Sequence, residues 1–242
     1  MKKYILAILA AAMVLSMTAC GENNADLQQI GENSTENITQ REIAENQTEG
    51  TGEVKTEKNE KVLIAYFSYG ENAALPDGVD ASTSASINIR NGKTTGNTGA
   101  IADMIAEKTG GELHSILTEE KYPADYNEVV EQGKAENQAD LRPELISEIE
   151  NLDEYDTIFV GFPNWWYDMP MAMYSFFDEY DFSGKTIIPF CTSGGSGFSD
   201  SISTIKSLEP NADIVENGLS ISGSRVDNAQ SDVASWLSEL GY

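Results

Sequence analysis

Cysteine is almost absent from this chain, which carries only Cys20 and Cys191 among 242 residues. So sparse a pair excludes a disulfide framework and a thiolate-built metal centre. Histidine is scarcer still, with His114 alone. A single His cannot supply the usual donor set for zinc, and no Gly-x-Ser-x-Gly elbow sits between a strand and a helix to build a hydrolase around it. His114 reads instead as a half-buried strand residue. Basic residues are few as well, 15 Lys and Arg against 40 Asp and Glu, for a formal net charge of −25. Neutralising nucleic-acid phosphates needs clustered Lys and Arg, so nucleic acid is not an expected partner. Nucleotide motifs are missing too. Gly92-Lys93-Thr94 and Gly184-Lys185-Thr186 imitate the tail of a P-loop, but Ile87 and Glu179 stand where its first Gly belongs. Gly195-Ser196-Gly197 lacks the third Gly of a dinucleotide fingerprint, that place being Asp200.

What is present begins at the N-terminus. Residues 1–19 open with Lys2 and Lys3, continue in an apolar run from Tyr4 to Leu15, and reach small residues before Cys20. That is the pattern of a secretory signal peptide, too short and too early for a comfortable membrane span. Leu15-Ser16-Met17-Thr18-Ala19-Cys20 resembles a bacterial lipobox, which implies a lipidated Cys20, a lipid bilayer as partner through that anchor, and a place on the extracytoplasmic side of the cell membrane. With Cys20 lipidated, Cys191 is the only thiol left. Residues 20–60 hold no aromatic residue and many Asn, Gln, Thr and Glu. A segment that cannot bury apolar surface cannot offset its chain entropy, so it is expected to be a disordered acidic tether. The remaining 61–242 form one domain with thirty acids and ten bases, a balance that favours solubility.

Along this domain apolar runs alternate with helical patterns. Lys61–Phe67, Tyr155–Phe162 and Lys185–Cys191 are nearly continuous in apolar residues, as strands covered on both faces should be. Glu112–Leu117 and Ala212–Ile221 are partly polar and belong nearer the sheet edges. Helical patterns fill Thr98–Thr109, Ala124–Asn137, Met171–Tyr180, Asp200–Leu208 and Val226–Leu240. Strict alternation implies right-handed crossovers, a five-stranded parallel sheet and helices on both faces, in the α/β class. Five strands suit the order 2-1-3-4-5. One connection is anomalous: the polar stretch Gly70–Thr94 is far longer than a usual strand-to-helix turn, and reads as either a mobile insert or a small ordered flap.

Three short stretches follow apolar runs, where open α/β sheets bind ligands. Thr95-Gly96-Asn97-Thr98 opens a helix and can wrap a phosphate with hydroxyls and backbone N–H groups. Pro163-Asn164-Trp165-Trp166 supplies flat aromatic surface, and Thr192-Ser193-Gly194-Gly195 begins a Gly-rich loop whose backbone can approach a ring edge. Core packing is the competing role for Trp165 and Trp166. Together with Tyr66-Phe67-Ser68, Tyr122-Pro123-Ala124-Asp125-Tyr126 and Asp181-Phe182-Ser183-Gly184, these pieces, in this order, resemble the flavodoxin-like family over nearly the whole domain, and more narrowly its bacterial lipoproteins. The resemblance implies a flavodoxin-like fold that binds FMN. It places Ser68, Thr95, Gly96, Asn97 and Thr98 at the phosphate, Pro163, Asn164, Trp165 and Trp166 on one side of the isoalloxazine, and Thr192, Ser193, Gly194 and Gly195 on its other edge. No side chain is then needed as acid, base or nucleophile. The implied activity is electron transfer by a membrane-anchored flavoprotein, with a redox partner protein or a small electron acceptor. An FMN-dependent quinone or NAD(P)H oxidoreductase and a flavin-free binding module on the same fold are the alternatives.

Overall fold

The computed structural model describes residues 61–76 and 86–242. The expected signal peptide, lipidated Cys20 and tether lie outside the described residues. No helix among the described residues is long and apolar enough to cross a membrane.

The first strand, β1 (Val62–Tyr66), is buried along its whole length. It is followed by α1 (Tyr69–Asn72) and an antiparallel hairpin, β2 (Ile87–Arg90) and β3 (Lys93–Gly96). The described part of the insert is therefore ordered. Asn91 and Gly92 make its turn, both with positive φ (52° and 74°), which is the conformation for which an Asn-Gly pair is suited. The chain continues through α2 (Asn97–Thr109), β4 (Glu112–Ser115), α3 (Tyr126–Ala139), β5 (Thr157–Pro163), α4 (Met171–Glu179), β6 (Thr186–Ser193) and α5 (Ser201–Leu208). It ends with two short strands, β7 (Asp213–Ile214) and β8 (Leu219–Ser222), a 3-10 turn (Gly223–Asn228) and α6 (Gln230–Leu240).

The main sheet runs β4-β1-β5-β6, with β7 and β8 both paired to β6, and every pairing is parallel. In chain order that is 2-1-3-4-5, as the alternation of runs implies. The fifth position differs from the single strand expected over Ala212–Ile221. Carbonyls of Lys185 and Ile187 accept bonds from Asp213 and Val215, so odd residues of β6 face this edge. Pro189 comes next on that side and has no N–H to give. The ladder breaks there, and β8 resumes it opposite Phe190–Ser193.

Alternate residues of β1 feed two cores, as the period of a strand requires. Leu63, Ala65 and Phe67 pack with Val129, Ala172, Phe176 and Ile205 from α3, α4 and α5. Val62, Ile64 and Tyr66 pack with Ile101, Ile105, Val233 and Trp236 from α2 and α6. Asp125 caps α3, accepting from the N–H groups of Asn127 (2.8 Å) and Glu128 (3.1 Å). At the centre of the sheet the Phe190 ring crowds Gly161, where an added Cβ would stand 2.0 Å from it. Gly161→Ala is expected to cost about 1–3 kcal/mol through overpacking, read as a lower urea midpoint with an unchanged slope.

Candidate functional site

A cavity of about 620 Å³ opens where β1, β5, β6 and β8 end at their carboxyl termini. It lies at the switch point, because the chain leaves β1 toward β4 on one side and returns at β5 on the other. Its volume is within the roughly 300–1,000 Å³ of small-molecule sites. One wall is apolar and aromatic, made by Tyr69, Tyr126, Val129, Val130 and Pro163–Tyr167. The other is rich in hydroxyls: Ser86, Asn97, Thr192, Ser193, Ser196 and Ser222–Ser224. Among the described residues, none of those lining it is charged, although the domain as a whole is strongly acidic.

The aromatic wall is built by a turn under strain. Trp165 and Asp168 exchange backbone bonds (2.8 and 3.0 Å), and the two residues between them, Trp166 and Tyr167, both have positive φ (52° and 66°). The left-handed conformation costs a non-glycine residue roughly 1–2 kcal/mol. Its persistence here, next to a cavity, marks the turn as over-determined by its surroundings. Asp168 is the principal tie: its carboxylate accepts from Met169 N (2.9 Å), Tyr174 Oη (2.9 Å) and Thr204 Oγ1 (2.9 Å). Burial, with that same carboxylate second, pushes the Tyr174 phenol up to about 12. Trp166 Nε1 donates to the Val130 carbonyl (3.3 Å), and Asp200 N donates to that of Tyr167 (3.0 Å). The result is that Trp166 and Tyr167 remain exposed at the mouth.

Trp165 turns inward. Its ring meets Tyr122 and Phe67 edge to face, with centroids 5.2 and 5.7 Å apart, and a Cβ at Gly133 of α3 would lie 3.1 Å from it. It therefore serves both the core and the wall. Asn164 sews the turn to the glycine loop, donating from its backbone to Thr192 O (2.8 Å) and from Nδ2 to Gly197 O (2.9 Å). Ser193 Oγ accepts from the N–H groups of Gly195 (3.2 Å) and Gly197 (3.0 Å), folding that loop around itself. Gly195 needs its freedom there, with φ 132°.

The residues expected at a phosphate lie at the other end. Gly96 is the N-cap of α2 and has no side chain to cap with, and the first turn holds no acidic residue. The positive end of the helix thus carries no acidic residue of its own. Asn97 lines the cavity and donates its N–H to Ser86 O (3.1 Å). Ser68, Thr95, Gly96 and Thr98 stand just behind. Ser68 Oγ accepts from Gly99 N (3.4 Å), Thr98 and Thr192 share a hydroxyl bond of 2.8 Å, and Thr95 Oγ1 donates to Glu71. A Cβ at Gly96 would fall 2.3 Å from Ser68 Oγ, so only glycine lets the two halves of the interrupted loop close on each other.

Of the expected residues, Asn97, Pro163, Asn164, Trp165, Trp166, Thr192, Ser193 and Gly194 thus line one cavity, with Gly195 in the adjoining loop. Sequence reasoning missed Tyr69, Ser86, Tyr126, Tyr167 and Ser222–Ser224. Tyr126 shares one helix face with Val129 and Val130, a spacing that was readable. His114 sits half-buried on β4, its Nε2 without a hydrogen-bond partner, and burial holds its pKa below the ordinary value.

A family model described as flavodoxin matches residues 87–240. The chain belongs to the flavodoxin family. The match begins in β2, so β1 lies upstream of it, beyond the interruption of the loop. Among solved structures the domain is similar to a candidate flavoprotein of Bacteroides uniformis, at 28% identity and a TM-score of 0.54, over 73% of this chain and 99% of that one. A candidate flavoprotein of Bacteroides eggerthii is 26% identical, with a TM-score of 0.53 and the same coverage. No curated protein matches.

Proposed function

We propose that this flavodoxin binds FMN noncovalently and transfers electrons with it from the extracytoplasmic face of the cell membrane. The observation that carries the reading is the lining itself: an aromatic wall, a hydroxyl wall and a helix start whose first turn holds no acidic residue, with no charged side chain among the described lining residues. The group supplies one- and two-electron redox chemistry when bound. The start of α2, with Asn97 and the Ser68 and Thr98 hydroxyls, would hold its phosphate without Arg or Lys. Trp166 and the turn around it would cover one side of the ring system, and the Ser193-Gly194 backbone would meet its edge. Neither loop presents a group that must gain or lose a proton.

Lipidation at Cys20 would hold the domain at the membrane through residues 21–60. A protein so placed has no pool of NAD(P)H, and its acidic surface repels the phosphates of NADPH. A carrier exchanging electrons with a redox partner or a small acceptor fits that position better than a pyridine-nucleotide reductase. Titration of FMN into the domain is expected to quench flavin fluorescence to one equivalent. Stopped-flow reduction should be slow with NADPH at low salt and faster with a one-electron donor. Absence of binding favours the flavin-free module, and rapid, saturable reduction by NADPH favours the reductase. Cys20→Ser should abolish labelling by radioactive lipid.

A further inference from the structure

Glu71 takes no part in the reading above, yet it lies inside the interruption of the phosphate loop. Its carboxylate is the meeting point of hydroxyls from three strands. Tyr66 Oη donates to Oε1 (3.2 Å), Thr95 Oγ1 donates to the same oxygen, and Ser115 Oγ donates to Oε2. The carboxylate also stands against the first turn of α2, where a Cβ at Gly99 would lie 2.7 Å from Oε1 and 2.0 Å from Thr95 Oγ1. Behind it is a second recess of about 470 Å³, which Arg90, Lys93 and Asp103 also line. Arg90 is turned to Asp103 (3.5 Å) and Glu107 (2.8 Å).

A hydroxyl has one proton to give. While Thr95 gives its proton to Glu71, it has none for an anion at the start of α2, and the carboxylate adds a negative charge beside that same helix end. We propose that Glu71 sets the preference of this site for phosphorylated over unphosphorylated flavin, holding it below what the loop alone would reach. The inference rests on the FMN reading and adds a specificity determinant outside the cavity lining.

The test is a comparison of FMN and riboflavin affinities by fluorescence in four proteins: wild type, Glu71→Gln, Thr95→Val and the double variant. Glu71→Gln keeps the shape and one acceptor oxygen but removes the charge and frees a hydroxyl proton. It is expected to tighten FMN by about five- to tenfold, the scale of one net hydrogen bond, and to leave riboflavin within about twofold. Thr95→Val should cancel most of the gain in the Glu71→Gln background. Weaker FMN binding by a folded Glu71→Gln variant, or equal shifts for both flavins, overturns the proposal. A large, FMN-specific loss from Thr95→Val alone overturns it as well, without need of the Glu71 variant. A wild type that binds neither flavin overturns the FMN reading and this one with it, whereas binding of both with an unmoved ratio overturns this one alone.

Discussion

Gly194→Trp is expected to abolish FMN binding, by at least about 100-fold, while leaving the melting temperature near that of the wild type. Gly194 lines the cavity at the end of β6, and a Cβ added there meets nothing within 4 Å. Its φ is not in the left-handed region, so a larger residue brings no backbone strain. An indole can therefore enter the space that the ring system would take, and it removes apolar contact worth several kcal/mol from the ligand. Fluorescence titration and a thermal melt, run on the same preparation, check both halves. Retained FMN binding in a folded Gly194→Trp protein would place the flavin elsewhere.

Asp168→Ala should act in the opposite manner, through the scaffold. The variant loses three bonds to one carboxylate, leaves the Tyr174 and Thr204 hydroxyls without their acceptor, and frees a turn that holds two aromatic residues at positive φ. We expect a loss of about 2–4 kcal/mol, because bonds to charged groups are each worth about 1.5–3 kcal/mol and part is recovered by water. In a domain of this size that lowers the melting temperature by roughly 5–15 °C. FMN affinity should fall with it, since Trp166 is then no longer fixed. Asp168→Asn, which keeps an acceptor for Tyr174 or Thr204, should recover part of both. A variant as stable as the wild type would show that the turn is held by Trp166 and Asp200 instead.

The frame of the fold was legible because parallel strands are covered on both faces. Lys61–Phe67, Tyr155–Phe162 and Lys185–Cys191 can hardly be anything else, and their order with the helices leaves little choice of topology. The edge was less so: the break in the fifth strand depends on which side Pro189 faces, and that is known only once β6 is in register with its neighbours. The hairpin of the insert did carry a signal in Asn91-Gly92.

The site divides in the same way. Loops that follow strong strands, from Pro163 and from Thr192, could be found from the strands themselves. Ser222–Ser224 could not, because the strand before it is short and finds its place only by pairing with β6. Nothing local announces that Trp166 and Tyr167 are left-handed, since neither is a glycine or an asparagine. The commitment of Thr95 to Glu71 is a convergence of β1, β3, β4 and α1. It is a property of the assembled chain, invisible in any window of sequence.

The interrupted edge at Pro189 bears on how these molecules behave in company. An uninterrupted outer strand offers a row of unsatisfied donors and acceptors on which a second chain can grow. Here the border of the sheet is a two-residue strand, a gap and a four-residue strand, so an incoming chain would find no continuous template. The opposite border, β4, spans only four residues. Crowded neighbours can therefore collide side by side without knitting their sheets together.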